Sequence, residues 1–195
     1  EGNVGGGGIM IMRKANGETG AINYREKAPM AASKDMYLDQ KGEVIEGKST
    51  GTALASGIPG TIAGIFEVHK KYGSLPMNEI VEPVIALAEK GVIITKFQAE
   101  SLNNNREFFT KINGRNSLFS KVYKENDTIK YTALAATLKR IAKNGRDEFY
   151  KGETAQKLVD FLAKKGGIAT MEDLNSYKAK WRTPITFQYK NLKIT

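Results

Sequence analysis

The chain has 195 residues, 41% of them hydrophobic, which is enough apolar material for a true core and implies a globular protein. It has no apolar run of about 18 residues or more, so no transmembrane helix is expected, and no basic-then-apolar signal peptide opens it. The absence of cysteine excludes disulfides, thiolate nucleophiles and Cys-based zinc sites, and a single histidine excludes His-rich metal sites. Thirty Lys and Arg against twenty-one Asp and Glu give a net charge of +9. The basic residues are mainly lysines scattered among acids, as in Lys70-Lys71 and Lys164-Lys165. This pattern indicates a solvated surface rather than a nucleic-acid interface. Glu1 as first residue, and an end within strand-like sequence at Ile194-Thr195, suggest a piece of a longer polypeptide.

Four glycines, Gly5 to Gly8, let backbone or ligand approach closely and lead into Ile9-Met10-Ile11-Met12, an apolar run of strand length. Asn16-Gly17 is a two-residue hairpin signal, and Ala21 to Tyr24 forms the returning strand. Arg25 then falls at the end of a buried strand, where its fork of donors needs an anion and matches a carboxylate in bidentate fashion. That anion is either an internal acid or a ligand.

Pro29 to Leu38 reads as a short helical or turn segment and Asp39 to Gly51 as polar loop. Within Gly57 to Gly73 a helix is expected, with Ile62, Ile65, Phe66 and His69 inward and Gly73 as its stop. Its small residues Gly57, Gly60, Ala63 and Gly64 suit close packing. A phosphate loop would need Gly-Lys-Ser or Gly-Lys-Thr, which this segment lacks. A second helix, Met77 to Lys90, should bury Ile80, Val81, Val84, Leu87 and Ala88, with a kink or short first turn at Pro83. Thr95 with Gln98 forms a capping box opening a third helix that ends near Ile112. Asn113 to Thr128 reads as loop with a short strand at Leu118 to Tyr123. Thr132 caps a helix to Asn144 that buries Leu134, Leu138 and Ile141, and Gly145 ends it. A turn at Asp147 to Tyr150 and a helix from Glu153 to Lys165 follow. Thr170, with Asp173 three residues on, opens a short helix carrying Leu174. Strands at Ile185 to Tyr189 and from Leu192 close the chain.

Candidate catalytic groups are few. His69 lies beside Phe66 on an amphipathic helix with no Ser or Cys nucleophile nearby, which favours a satisfied, half-buried histidine over a general base. Glu26 either supports the surroundings of Arg25 by hydrogen bonds or forms a surface pair with it. Arg182, between Trp181 and Thr183-Pro184, suits a structural stack on the indole. Asp39, Asp147 and Asp173 occupy turn or cap contexts that account for them. Read residue by residue, the chain offers an anion-binding arginine and a helical layer, but no reaction.

Taken together, several segments resemble the large-subunit portion of γ-glutamyltranspeptidases. They are Gly-Asn-Val-Gly-Gly-Gly-Gly (2 to 8), Tyr-Arg-Glu-Lys-Ala-Pro (24 to 29), Asp-Met-Tyr-Leu-Asp (35 to 39) and Ala-Ser-Gly-Ile-Pro-Gly-Thr-Ile-Ala-Gly (55 to 64). To these add Lys-Tyr-Gly-Ser-Leu-Pro (71 to 76), Phe-Tyr-Lys-Gly (149 to 152), Gly-Gly-Ile-Ala-Thr-Met-Glu-Asp-Leu (166 to 174) and Trp-Arg-Thr-Pro (181 to 184). Each is weak alone; eight in the family's order are specific.

The resemblance implies an α+β fold, the N-terminal-nucleophile hydrolase αββα sandwich, with residues 1–195 as a single-domain, mainly helical large-subunit fragment. It implies γ-glutamyl transfer and glutathione hydrolysis by a precursor that cuts itself in two. The nucleophile is then the first threonine of a small subunit that this chain does not contain, and no cofactor or metal is needed. Arg25 takes the place of the family's α-carboxylate-binding arginine, with Tyr24 where phenylalanine is usual. The implied partners are that small subunit, glutathione or another γ-glutamyl donor, and an amino acid, peptide or water as acceptor. The implied location is periplasmic or extracellular. The resemblance also admits an acylase or polyglutamate-processing member of the superfamily, and a degenerate homologue that only binds.

Overall fold

A computed structural model describes residues 3–195. In chain order the elements are strands β1 (Ile9–Arg13) and β2 (Thr19–Asn23), helices α1 (Thr61–Tyr72) and α2 (Met77–Lys90), strand β3 (Val92–Ile93), and helices α3 (Lys96–Asn104) and α4 (Arg106–Asn113). Strand β4 (Thr128–Ile129) is followed by helices α5 (Thr132–Asn144), α6 (Arg146–Tyr150), α7 (Glu153–Lys164) and α8 (Met171–Ser176), and then by strands β5 (Lys180–Arg182), β6 (Phe187–Tyr189) and β7 (Leu192–Ile194). The described residues form two compact units: those up to Ser74 together with Asn144–Thr195, and Leu75–Lys143.

The first unit is built on an antiparallel sheet in the order β1-β2-β5, with Met10 opposite Ile22 and Ile22 opposite Trp181. The middle strand carries the burial: Ile22 is fully enclosed, whereas Ile9 and Ile11 of β1 face solvent. The hairpin differs in detail from the expected two-residue turn. Lys14 N–H donates to Glu18 O and Gly17 N–H to Lys14 O, so the loop has three residues. A two-residue type I′ turn needs left-handed backbone at both central residues, and here Gly17 alone takes it, at φ 87°. The Asn16 side chain accepts from Glu18 N–H and stabilises the wider loop.

Helix α1 packs its smallest residues inward, Ala63 and Gly64 beside Ile62, and leaves Ile65 exposed, contrary to the expected stripe. Bringing the helix close to Tyr24 and Tyr150 is what selects that face. Strand β5 has only three residues, too few to show a periodicity in the sequence. The Trp181 ring is met edge-on by Tyr72 and covered by the Lys71 ammonium at 4.4 Å. Lysine, not Arg182, therefore makes the cation contact. The two strands expected at the end of the chain are β6, which starts at Phe187 rather than Ile185, and β7; they pair antiparallel and turn through Lys190 at φ 52°.

In the second unit Ile94, Ala99, Tyr123 and Ile129 form the core, with Leu102, Leu118 and Tyr131 packed on it. Thr95 caps α3 through the expected capping box. The single helix expected to run to Ile112 is two, broken at Asn105, because neighbouring amides bond elsewhere. Asn103 exchanges two hydrogen bonds with the Tyr123 backbone and Asn105 donates to Ser101 O. Leu118–Ser120 is a 3₁₀ turn rather than a strand, curled by bonds from Ser120 Oγ to Gly114 O and from Tyr123 OH to Leu118 O. Helix α2 runs through Pro83 and buries Ala88, while Ile80, Val84 and Leu87 of its expected inner face are exposed. Helix α5 buries Ala135, Leu138 and Ile141, and Gly145 follows it at φ 74°.

Candidate functional site

The residues from Tyr24 to Lys27 thread a slot walled by glycines. On one side, Gly8 extends the hairpin ladder through paired bonds with Tyr24, and a Cβ on Gly7 would stand 2.5 Å from Tyr24 O and 2.9 Å from Arg25 Cα. On the other, a Cβ on Gly57 would stand 2.9 Å from Glu26 Cβ, and one on Gly60 would stand 2.0 Å from Tyr24 O. Gly6 O closes the slot by accepting from Gly60 N–H at 2.8 Å and Thr61 N–H at 3.0 Å, and Lys27 pairs with Ile58. No side chain larger than hydrogen fits at these approaches, so the glycine run serves close packing.

The slot presents Arg25 to an open cleft of about 620 Å³. Arg25, Glu26 and Lys27 line it together with Met36, Tyr37 and Ser56. Contrary to the buried position expected, β2 ends two residues earlier and the Arg25 side chain is 64% exposed. It forms an ion pair with adjacent Glu26, with Nε 3.5 Å from Oε2. This is the surface pair of the two alternatives, too long and too open to satisfy a guanidinium that offers five donors.

The backbone beneath the side chain is held more firmly. Arg25 N–H donates to Asn23 Oδ1 at 2.9 Å, and Arg25 O accepts from Tyr177 OH at 2.7 Å. Tyr177 is buried at the end of α8 and stacks on Tyr150, ring centroids 5.7 Å apart and planes 11° from parallel. Tyr150 in turn donates to Pro59 O at 2.9 Å and accepts from Ala63 N–H at 3.1 Å. Burial, and then the Glu26 charge, push the Tyr177 phenol up to about 12. Burial also drives Tyr150 upward, against the opposing Ala63 hydrogen bond and Arg146 charge. Both hydroxyls stay protonated donors at neutral pH.

The other sequence candidates lie in structural roles. His69 is half-buried in the last turn of α1 and does not line the cleft. Asp39 accepts from Lys41 and Glu43 N–H in a turn. Asp147 pairs with Arg146 and Lys151 in the first turn of α6. Asp173 completes the Thr170 capping box and also accepts from Met30 N–H at 2.7 Å, tying the segment after the slot to α8. Arg182 is exposed on β5. Tyr177 and Asn23 carry no sequence signal of these roles, and Tyr150 stands out only as part of the Phe-Tyr-Lys-Gly segment; the Tyr177–Arg25 contact spans 152 positions and leaves no local signal.

A family model described as Gamma-glutamyltranspeptidase matches residues 1–195. The chain belongs to the γ-glutamyltranspeptidase family. The glutathione hydrolase proenzyme of Escherichia coli (strain K12) is 42% identical over 197 residues, covering 99% of this chain and 34% of that protein. The crystal structure of Helicobacter pylori γ-glutamyltranspeptidase superposes with a TM-score of 0.95 at 42% identity, covering 99% of this chain and 56% of that one. The Pseudomonas nitroreducens γ-glutamyltranspeptidase complexed with L-DON gives a TM-score of 0.92 at 40% identity, covering 99% of this chain and 57% of that one. The chain thus spans about a third of the length of the curated relatives it matches. The α+β, N-terminal-nucleophile hydrolase fold expected from the resemblance is the one it shares with these structures.

Proposed function

We propose that residues 1–195 form the large-subunit part of a γ-glutamyltransferase and glutathione hydrolase, in which Arg25 holds the α-carboxylate of the γ-glutamyl donor. The observation that carries this reading is the Arg25 guanidinium itself, exposed on a cleft above a backbone pinned at both N–H and C=O. A fixed origin with unfilled donors is the arrangement that bidentate carboxylate recognition requires.

In this reading the reaction is acyl transfer. The hydroxyl oxygen of the small subunit's first threonine attacks the donor's γ-carbonyl carbon, and the threonine amine takes the hydroxyl proton and delivers it to the departing amine as the C–N bond breaks. Water or an acceptor amine then cleaves the resulting γ-glutamyl ester and returns the threonine hydroxyl. Arg25 orients the donor and takes no part in proton transfer. The family names of the relatives support γ-glutamyl chemistry, and the same reading places the protein in the periplasm or outside the cell. Among the described residues no helix is long and apolar enough to cross a membrane.

The test is Arg25→Ala in the complete protein, assayed with a chromogenic γ-glutamyl anilide. Loss of one charge-assisted pair at a partly solvated site is worth about 2 kcal/mol, which raises KM roughly thirtyfold. Arg25→Lys recovers part of this, since an ammonium supplies the charge without the fork. An unchanged KM for Arg25→Ala refutes the assignment.

A further inference from the structure

We propose that Tyr177 is a positioning residue for Arg25: its hydroxyl fixes the backbone from which the guanidinium reaches the cleft. This rests on Arg25 as the carboxylate-binding residue and extends that reading to a residue outside the glycine slot.

Arg25 lies beyond the β2 ladder, so no sheet hydrogen bond holds its carbonyl. The bond from Tyr177 OH at 2.7 Å takes the place of one. The donor is itself anchored at several points. Its ring lies flat on Tyr150 at 5.7 Å, and the Lys27 ammonium stands 4.9 Å from its centroid. Its own carbonyl accepts from Arg146 Nη2 at 2.5 Å, while the Arg146 guanidinium lies 4.3 Å from the Tyr150 ring. A hydrogen bond from so constrained a phenol transmits position, because neither partner can drift without breaking a second contact.

Gly60 is the other half of the device. A Cβ there would meet the Tyr177 hydroxyl at 2.1 Å, so only glycine leaves the phenol a path to Arg25. Tyr150 and Lys27 meet the Tyr177 ring and Arg146 its main chain, so these contacts make no use of the hydroxyl. Misplacing a binding group by about 1 Å costs up to 100-fold in rate, so a bond of modest stability has a large effect when it sets the origin of a substrate-binding side chain.

The experiment uses the complete protein, with KM and kcat for a γ-glutamyl anilide and a thermal unfolding midpoint for each variant. Tyr177→Phe removes the hydroxyl and keeps the stacked ring. It is expected to raise KM about three- to tenfold, the equivalent of one net hydrogen bond, with kcat within about twofold. In an Arg25→Ala background the same change is expected to leave KM unaltered. Placing 4-aminophenylalanine at position 177 keeps an N–H donor on the ring and holds KM near the wild-type value. Placing 4-fluorophenylalanine there is expected to reproduce the Phe effect, and where Tyr177→Phe fails to fold, a KM raised in the 4-aminophenylalanine variant as far as in Arg25→Ala overturns the inference. An unchanged KM, or the same increase with and without Arg25, overturns the inference. If Arg25→Ala raises KM while Tyr177→Phe does not, the carboxylate reading stands and only the positioning role falls. If Arg25→Ala leaves KM unchanged, both fall.

Discussion

Replacing Gly64 by alanine sets two effects of known sign against each other. In the middle of a helix, alanine is favoured over glycine by about 1 kcal/mol, because glycine loses more backbone freedom on folding. Against this, the added Cβ would lie 2.3, 2.5 and 2.8 Å from Cγ, Cδ1 and Cβ of Tyr24. Carbon atoms sit comfortably at about 3.5 to 4.0 Å, so the overlap exceeds an ångström. The atoms struck are the root of the ring, and the ring is also bounded by Gly8, whose Cβ would lie 3.0 Å from Tyr24 Cε2. Turning the phenol therefore gives no relief, and either α1 or the strand end must shift. Overpacking of this kind costs about 1 to 3 kcal/mol, and the severity of the overlap points to the upper part of that range. The net expectation for Gly64→Ala is a loss of about 1 to 2 kcal/mol, or roughly 2 to 8 °C in Tm for a chain of this size. The assay is thermal unfolding followed by circular dichroism, for Gly64→Ala alone and in a Tyr24→Ala background. With the ring gone the two shortest overlaps vanish and only the 2.8 Å approach to the Cβ of position 24 remains, so the same substitution should cost clearly less than it does beside the tyrosine. A higher Tm for the single variant would refute the reasoning. Since Tyr24 immediately precedes Arg25, the single variant should also raise KM for the γ-glutamyl anilide.

Two further substitutions probe the supports around the site and in the second unit. Asp173 accepts from Met30 N–H, Thr170 N–H and Thr170 Oγ1; burial raises its pKa, but these bonds outweigh that and hold it below its ordinary value of 3.8. A carboxyl with a depressed folded pKa contributes stability that is present above the ordinary value and lost as pH falls through the folded one. Asp173→Asn should thus cost about 1 to 3 kcal/mol near pH 6, and the gap from wild type should begin to narrow below about pH 4 and close as pH falls through the lower folded pKa; a gap independent of pH speaks against the carboxylate. Thr95→Ala removes the α3 capping box at a cost of about 1 kcal/mol. Amide exchange at Gln98 N–H, which donates to Thr95 Oγ1, should accelerate, and unaltered exchange there would show that the cap is not what holds the helix start.

What the sequence by itself determined is whatever a few neighbouring residues decide. The caps at Thr95 and Thr170, the span of α2, the Leu138 and Ile141 stripe of α5 and the stop at Gly145 all follow from bonds and contacts within about one helical turn. The eight family segments are legible for a similar reason, since each is a short run of residue types in order. The tertiary structure decided everything that depends on partners far along the chain. Which face of α1 is buried was settled by Tyr24 and Tyr150, not by the hydrophobicity of Ile65. The segment from Leu118 to Tyr123 has strand-like composition, yet its backbone is claimed at Tyr123 by the Asn103 side chain, 20 positions away, and not by a neighbouring strand. The same division runs through the site. Arg25 could be picked out by its chemistry and its place after a strand, but its exposure, its glycine-walled slot and the Tyr177 bond across 152 positions come from long-range packing. Side-chain periodicity encodes only the local partner of each residue; the hydrogen bond that aims a guanidinium at a cleft has no period to read.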